Sequence, residues 1–187
     1  MRKSIAATET LDTIAARRAV RSYTPQPVHP DTIRDLLDAA VHAPTALHEE
    51  PWAFAIVQDR ALLRQLSDRS KELVLQAAPP AWGDHLQPDF NVFYDASTLI
   101  VIYGKPMGPF VVADCWLAAE NLMLAACALG LGTCVVGFAV AALNEPLWKA
   151  ALDVPPEFTA FAPIIVGFPQ RATPPTPRKA PEVRYWR

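Results

Sequence analysis

Arg17-Arg18-Ala19-Val20-Arg21 places three guanidinium groups within five residues, where an amphipathic helix gives way to an extended link. A guanidinium can grip phosphate oxygens through two parallel hydrogen bonds, and each charge-assisted bond contributes about 1.5–3 kcal/mol. The same residues also suit a solvated helix end, where cations complement the helix dipole. Taken alone, the cluster stands evenly between a phosphate site and a charged helix terminus. Other chemistries find less support. Gly130-Leu131-Gly132 has Val135 at the third glycine position of a dinucleotide fingerprint, and it leads from helix into strand, the reverse of the required order. His29, His42, His48 and His85 form no compact ligand set, so no metal site is expected. Ser22 and Ser97 lack the G-x-S-x-G setting of a hydrolase nucleophile. Cys115, Cys127 and Cys134 show neither a paired framework nor C-x-x-C spacing and read as small buried hydrophobes of a protein in a reducing cytoplasm.

The elements that must position these residues follow from periodicity and punctuation. The 187 residues are 51% hydrophobic and 19% charged, with a formal net charge of -2, which fits one globular domain and not a polyanion binder, so nucleic acid is not an expected partner. Asp12 to Arg18 reads as the end of a first helix, followed by a link held extended by Pro25 and Pro27. A second helix is expected from Pro30 to about His42, with Ile33, Leu36, Leu37, Ala40 and Val41 at helical spacing. Trp52 to Val57 reads as a buried strand, Ala61 to Ala77 as a helix closed by Pro79 and Pro80, and Thr98 to Tyr103 as a central strand. The segment 80–95 gives no firm pattern. Val111 to Leu129 is the longest expected helix, ended by Gly130 and Gly132. Then come a strand over Cys134 to Phe138, a helix over Leu143 to Leu152 and a last strand over Phe161 to Phe168, entered near Pro163. The class is therefore α/β or α+β.

Two stretches invite other readings. Leu122 to Leu143 carries no charge and is long enough to span a bilayer, but Gly130 to Thr133 would break it in mid-membrane and no basic anchors flank it, so no membrane segment is expected. Arg2 and Lys3 are followed by Thr8, Glu9, Thr10 and Asp12 instead of an apolar run, so no signal peptide is expected either. After Gly167, prolines alternate with Arg171, Arg178, Lys179, Arg184 and Arg187 without a core-forming period. This predicts a domain over 1–168 and an extended arm over 169–187.

Several short segments stand in a telling order. They are Arg17 to Tyr23, then Ala43-Pro44-Thr45-Ala46-Leu47-His48-Glu49-Glu50-Pro51-Trp52-Ala53-Phe54, then Asp95-Ala96 before a strand. Ala118 to Leu122 leading to Gly130-Leu131-Gly132-Thr133-Cys134 follows, and Pro163 to Pro169 closes the set. In this order the chain resembles the nitroreductase family of FMN-dependent oxidoreductases over nearly its whole length. The resemblance implies an α+β fold with a central mixed sheet flanked by helices, an obligate homodimer with two FMN sites at the subunit interface, and an arm exchanged between subunits. Arg17 would hold the FMN phosphate, with Arg18 and the backbone of Ala19 in the same turn. Arg21 would reach the pyrimidine edge of the flavin and stabilise its anionic reduced form. Pro44 and Thr45 would come from the partner, His48 would count among the cofactor-binding residues, Val135, Val136 and Gly137 would lie along the ring, and Arg178 or Lys179 would return to the phosphate.

The implied reaction is ping-pong transfer from NADH or NADPH, through the flavin, to an electron-poor small molecule such as a nitroaromatic or quinone, with no side-chain nucleophile. Three residues depart from the family pattern: Ala19 stands where Ser is usual, His48 where Asn is, and Glu50 where Gln is. An ionised Glu50 can only accept hydrogen bonds and disfavours a negative ring beside it. His48 and Glu50 leave in view a flavin-binding dimer with little turnover, and because the same scaffold can serve other reductions and oxidations a second rival is a flavin-dependent oxidase or dehydrogenase of a specialised metabolite.

Overall fold

A computed structural model describes residues 9–77, 87 and 89–187. His85, Pro79, Pro80 and the first eight residues lie outside this range. The elements in chain order are α1 (Glu9–Ala16), α2 (Pro30–Val41), β1 (Trp52–Val57), α3 (Arg60–Ala77), β2 (Thr98–Gly104), α4 (Val111–Ala128), β3 (Gly132–Val135), α5 (Val140–Leu143), α6 (Pro146–Ala151) and β4 (Thr159–Gly167). The four strands form one sheet in the order β1-β2-β4-β3, and every ladder is antiparallel. Among the described residues a parallel contact appears only as an isolated bridge from Ala19 to Thr133, at the outer edge of β3.

Strand β2 is buried along its whole length because helices cover both faces of the sheet. Leu99, Val101 and Tyr103 face one half-core, which includes Leu63 and Leu66 of α3, Leu143 of α5 and Trp148 of α6. Ile100 and Ile102 face the other, with Leu36 and Ala40 of α2 and Cys115, Ala118, Ala119 and Leu122 of α4. This strict alternation is the period-two geometry of a strand between two apolar layers. Helix α4 is long and apolar enough to cross a membrane, yet here its small residues let it seat between the sheet and α2. Its opposite side leaves Val112, Trp116 and Leu117 exposed.

Two expected elements resolve differently. The run Cys134 to Phe138 is not one strand: β3 ends at Val135, the Val136 N–H bonds the Pro163 carbonyl at 2.9 Å, and a 3-10 turn over Gly137–Ala139 follows. The helix expected over Leu143 to Leu152 starts later, as α6 from Pro146, and is preceded by the separate turn α5 that ends at Leu143; between them stands Asn144, whose side chain bonds the backbone of Ala160 in both directions and Val140 besides. The last strand starts at Thr159, four residues ahead of Pro163. Pro163 is tolerated inside β4 because its carbonyl, and hence its missing N–H, faces the point where β3 has ended.

Candidate functional site

Two glycines set the arginine segment in place, each for its own reason. Gly130, at φ +74, ends α4 in a Schellman motif: its N–H bonds the Cys127 carbonyl and the Leu131 N–H bonds that of Ala126. Gly132 instead permits close approach, since a Cβ there would lie 2.7 Å from a Val20 methyl. With no side chain in the way, Val20 packs onto β3 and its N–H bonds the Thr133 carbonyl at 2.9 Å. The link is fixed again at Thr24, whose backbone N–H bonds the Phe168 carbonyl, and at Tyr23, which stacks over Gly167 and donates its hydroxyl to the Val20 carbonyl. The arginines therefore project from a backbone anchored to the sheet.

The three guanidinium groups part company. Helix α1 stops at Ala16, before the arginines, and Arg18 folds back to donate to the carbonyls of Ala15 and Arg17, capping the helix end. Arg17 reaches the exposed Glu120 of α4 at 3.4 Å. Arg21 goes the other way, 6.0 Å from the ring centroid of Tyr94. Burial raises the thiol pKa of Cys134, while the charge and hydrogen bond of Arg21 and the charge of Arg17 pull it back. Both arginine charges thus act on one buried sulfur at the floor of the site.

Arg21 stands between two hollows. One, of about 220 Å³, is walled by Val92, Tyr94, Cys134, Val135, Val136, Gly137 and Phe138; the other, of about 170 Å³, runs past Ala19 and Ser22 to Arg171 and Thr173. Arg171 and Thr173 also border a third hollow of about 420 Å³ that holds Arg17, Arg18 and Thr133. Shared walls, Arg21 between the first two and Arg171 to Thr173 between the last two, thus set these hollows side by side as a trough that runs from the end of β3 past Arg17, Arg18, Arg21 and Arg171. A Cβ placed on Gly137 would meet nothing within 4 Å, so its backbone faces open space. The trough suits a long ligand with a flat apolar end and an anionic tail: the walls and open glycine at one end, and cations in excess of carboxylates at the other.

The structure brings Arg17, Arg18, Ala19, Arg21, Val135, Val136 and Gly137 around this trough. Pro44, Thr45 and His48 lie elsewhere. Their loop is held to the start of α4, where Asp114 accepts from the Ala46 N–H at 3.3 Å, whereas the arginines lie by Cys127 near its end. Thirteen residues of helix separate those points, a rise of about 20 Å. Leu47, His48 and Glu50 hold positive φ values of 53, 56 and 45°, each costing about 1 kcal/mol or more for a residue with a Cβ. His48 and Glu50 are exposed and form no ion pair with each other. Arg178 and Lys179 are exposed in the arm, clear of the hollows. Among the described residues, no group of His, Cys, Asp or Glu is arranged to hold a metal ion.

Sequence reasoning missed Arg171 and Tyr94. Arg171 sits in an arm without a core-forming period, although it follows the Pro169 that pairs with Tyr23. Tyr94 stands in the segment without periodicity, where it and Asp95 adopt φ of 52 and 56° to turn the chain toward Arg21.

A four-stranded antiparallel sheet between helical layers, with an arginine trough opening at the end of β3, defines a class of α+β proteins. Residues 14–168 match the model of the nitroreductase family, and the chain belongs to that family. A protein of Archaeoglobus fulgidus with the provisional name NADH dehydrogenase/NAD(P)H nitroreductase is 29% identical over 167 residues, covering 87% of this chain and 86% of its own. The structure of a nitroreductase with bound FMN from Bacteroides fragilis superposes with a TM-score of 0.85 at 24% identity, over 96% of this chain and 98% of that one. Another with bound FMN, from Desulfitobacterium hafniense, gives 0.86 at 20% identity, over 97% and 100%. At these identities the superpositions establish the fold.

Proposed function

We propose that the protein is an FMN-dependent oxidoreductase, working as a homodimer, that takes electrons from NADH or NADPH and passes them in a second half-reaction to an electron-poor acceptor such as a nitroaromatic or quinone. The observation that carries this reading is the position of Arg21, between a hollow edged by Val135 to Gly137 and a hollow leading to Arg17 and Arg171. When bound, FMN would supply a ring able to accept and release a hydride equivalent. The protein residues have simpler tasks. Arg17 and Arg171, joined by Arg178 or Lys179 of the arm, would neutralise the phosphate, and Arg18, already capping α1, would add positive potential. Arg21, held by Tyr94 and Cys134, would set a positive charge against the pyrimidine edge.

The dimer is supported by two features of this chain. Trp116, Leu117, Val112 and Phe110 expose a contiguous apolar face around the start of α4. The Pro44 loop lies at the far end of that helix from the arginines, so it would meet a trough only in a second subunit. There Pro44 and Thr45 would close the ring site, and His48 and Glu50 would face the acceptor. The test is anaerobic addition of NADH and of NADPH to the yellow purified protein, followed by a nitroaromatic or a quinone. Bleaching by the nicotinamide and recovery of colour with the acceptor are expected. A colourless protein that takes up no FMN would end the proposal; bleaching by a metabolite but not by NAD(P)H would transfer it to a flavin oxidase or dehydrogenase.

A further inference from the structure

Arg21 is exposed, and among the described residues no carboxylate pairs with it. A long side chain at the surface samples many rotamers, so a positive field at one place in the hollow needs something to hold the charge there. Two contacts do so. The guanidinium carbon lies 6.0 Å from the centroid of the Tyr94 ring, and the group hydrogen-bonds the Cys134 sulfur. Cys134 belongs to β3 and is fixed by the sheet. Tyr94 comes from outside the sheet, and its direction has to be built.

A turn that is unusual for such large residues builds it. Tyr94 and Asp95 hold φ of 52 and 56°, left-handed values that a residue with a Cβ seldom adopts and that persist only where the surroundings impose them. Here the Val92 N–H bonds the buried Ser67 hydroxyl of α3 at 3.0 Å, and the Tyr94 N–H bonds the Asn91 carbonyl at 2.9 Å. The Asn91 side chain accepts from the Phe93 N–H and donates to Asp95, both at 2.9 Å. Val92 and Phe93, each 1% exposed, anchor the turn in the half-core that holds Leu99 and Val101. Phe90 then meets the Tyr94 ring edge to face, with centroids 5.4 Å apart. The ring so aimed walls the same hollow as Arg21, Cys134 and Val135 to Gly137. We propose that Tyr94 is a positioning residue: its ring holds Arg21 in this hollow, so that the cation favours the reduced flavin and raises its reduction potential. Resting on the FMN reading above, this makes the turn over residues 90–95 a part of the fold that tunes the cofactor.

The test poises the FMN-loaded full chain and its variants against redox dyes of known potential and reads the visible flavin spectrum. Tyr94→Leu keeps an apolar side chain but no aromatic face. It is expected to shift the two-electron equilibrium about ten-fold toward the oxidised flavin, a potential about 30 mV more negative. Tyr94→Asn also lacks the face but suits a positive φ, so the same shift in it separates loss of the ring from loss of the turn. Tyr94→Phe keeps the face and should stay at the unaltered potential. In an Arg21→Met background Tyr94→Leu should shift nothing further, because the ring acts through the arginine. An unchanged potential in Tyr94→Leu or Tyr94→Asn, the same loss in Tyr94→Phe, or a further shift in the absence of Arg21 would overturn the proposal. Each of those outcomes leaves FMN bound and the reading of the site intact. A protein that takes up no FMN ends that reading first, and the role of Tyr94 with it.

Discussion

At the scale of residues, the trough divides its chemistry among arginines that look alike in the sequence. Arg17 and Arg21 are four apart but diverge, one toward Glu120 and the other toward Tyr94 and Cys134. Their removal should therefore have different signatures. Arg17→Ala is expected to weaken FMN binding about ten-fold or more while leaving the reduction rate of the loaded protein nearly intact. Arg21→Ala should slow reduction by NAD(P)H even at saturating FMN, because in the proposed site it would remove the positive charge beside the ring. Equal effects of both substitutions on affinity and rate would contradict the division. Gly137 gives a cleaner test. A Cβ there meets nothing in the chain, so Gly137→Val should change stability by only about 0.5 kcal/mol yet abolish FMN binding by filling the place of the ring. Retained yellow colour would show that the ring does not lie there. The even choice between phosphate site and helix cap that the sequence left open has a mixed outcome: Arg18 caps the helix, while Arg17 and Arg21 do not.

At the scale of elements, α2, β1, α3, β2 and α4 agree with the sequence reading to within about a residue or two, because each combines a clear apolar period with proline or glycine at its ends. The missed elements share a cause: a tertiary hydrogen bond overrides a local apolar run. Val136 turns aside to meet Pro163, and Asn144 stands between α5 and α6 and ties down Ala160. The candidate trough was legible where backbone position sufficed, since Arg21 and Val135 to Gly137 line one hollow. It was illegible where a left-handed turn aims a side chain, as at Tyr94. The strained loop over Leu47 to Glu50 depends in the same way on a distant partner. Asp114→Ala should cost about 1 kcal/mol and hasten amide exchange at Ala46, whereas Asp114→Asn keeps the acceptor and should do neither; unchanged exchange in the alanine variant would remove this role. The adjacent Cys115 thiol is pushed up to about 12 by burial and by Asp114. A thiol held neutral in the folded state gives a constant contribution below its unfolded pKa near 9 and loses it as pH rises from there toward 12. Thermal melts should thus decline from about pH 9 upward, and Cys115→Ala should flatten that decline.

At the scale of the whole molecule, the apolar face around Phe110, Val112, Trp116 and Leu117 and the distant Pro44 loop make one prediction together. For the proposed dimer, Trp116→Glu is expected to give a monomer in sedimentation at micromolar concentration where the unaltered protein sediments as a dimer, and FMN affinity should fall with it although Trp116 lies outside the trough. A monomer that keeps full FMN affinity would show that each subunit completes its own site. The two edges of the sheet are also unequal. The arginine link covers β3 at Ala19, while β1 is the other boundary of the sheet, with Ile56 40% exposed. Among the described residues β1 is the edge that carries no such bridge, and it is the side an added strand, whether a proline-rich arm from another subunit or a misfolded chain during overexpression, would join. The covalent layout thus gives assembly a polarity, and a lysine at Ile56 is the place to look when soluble yield is poor.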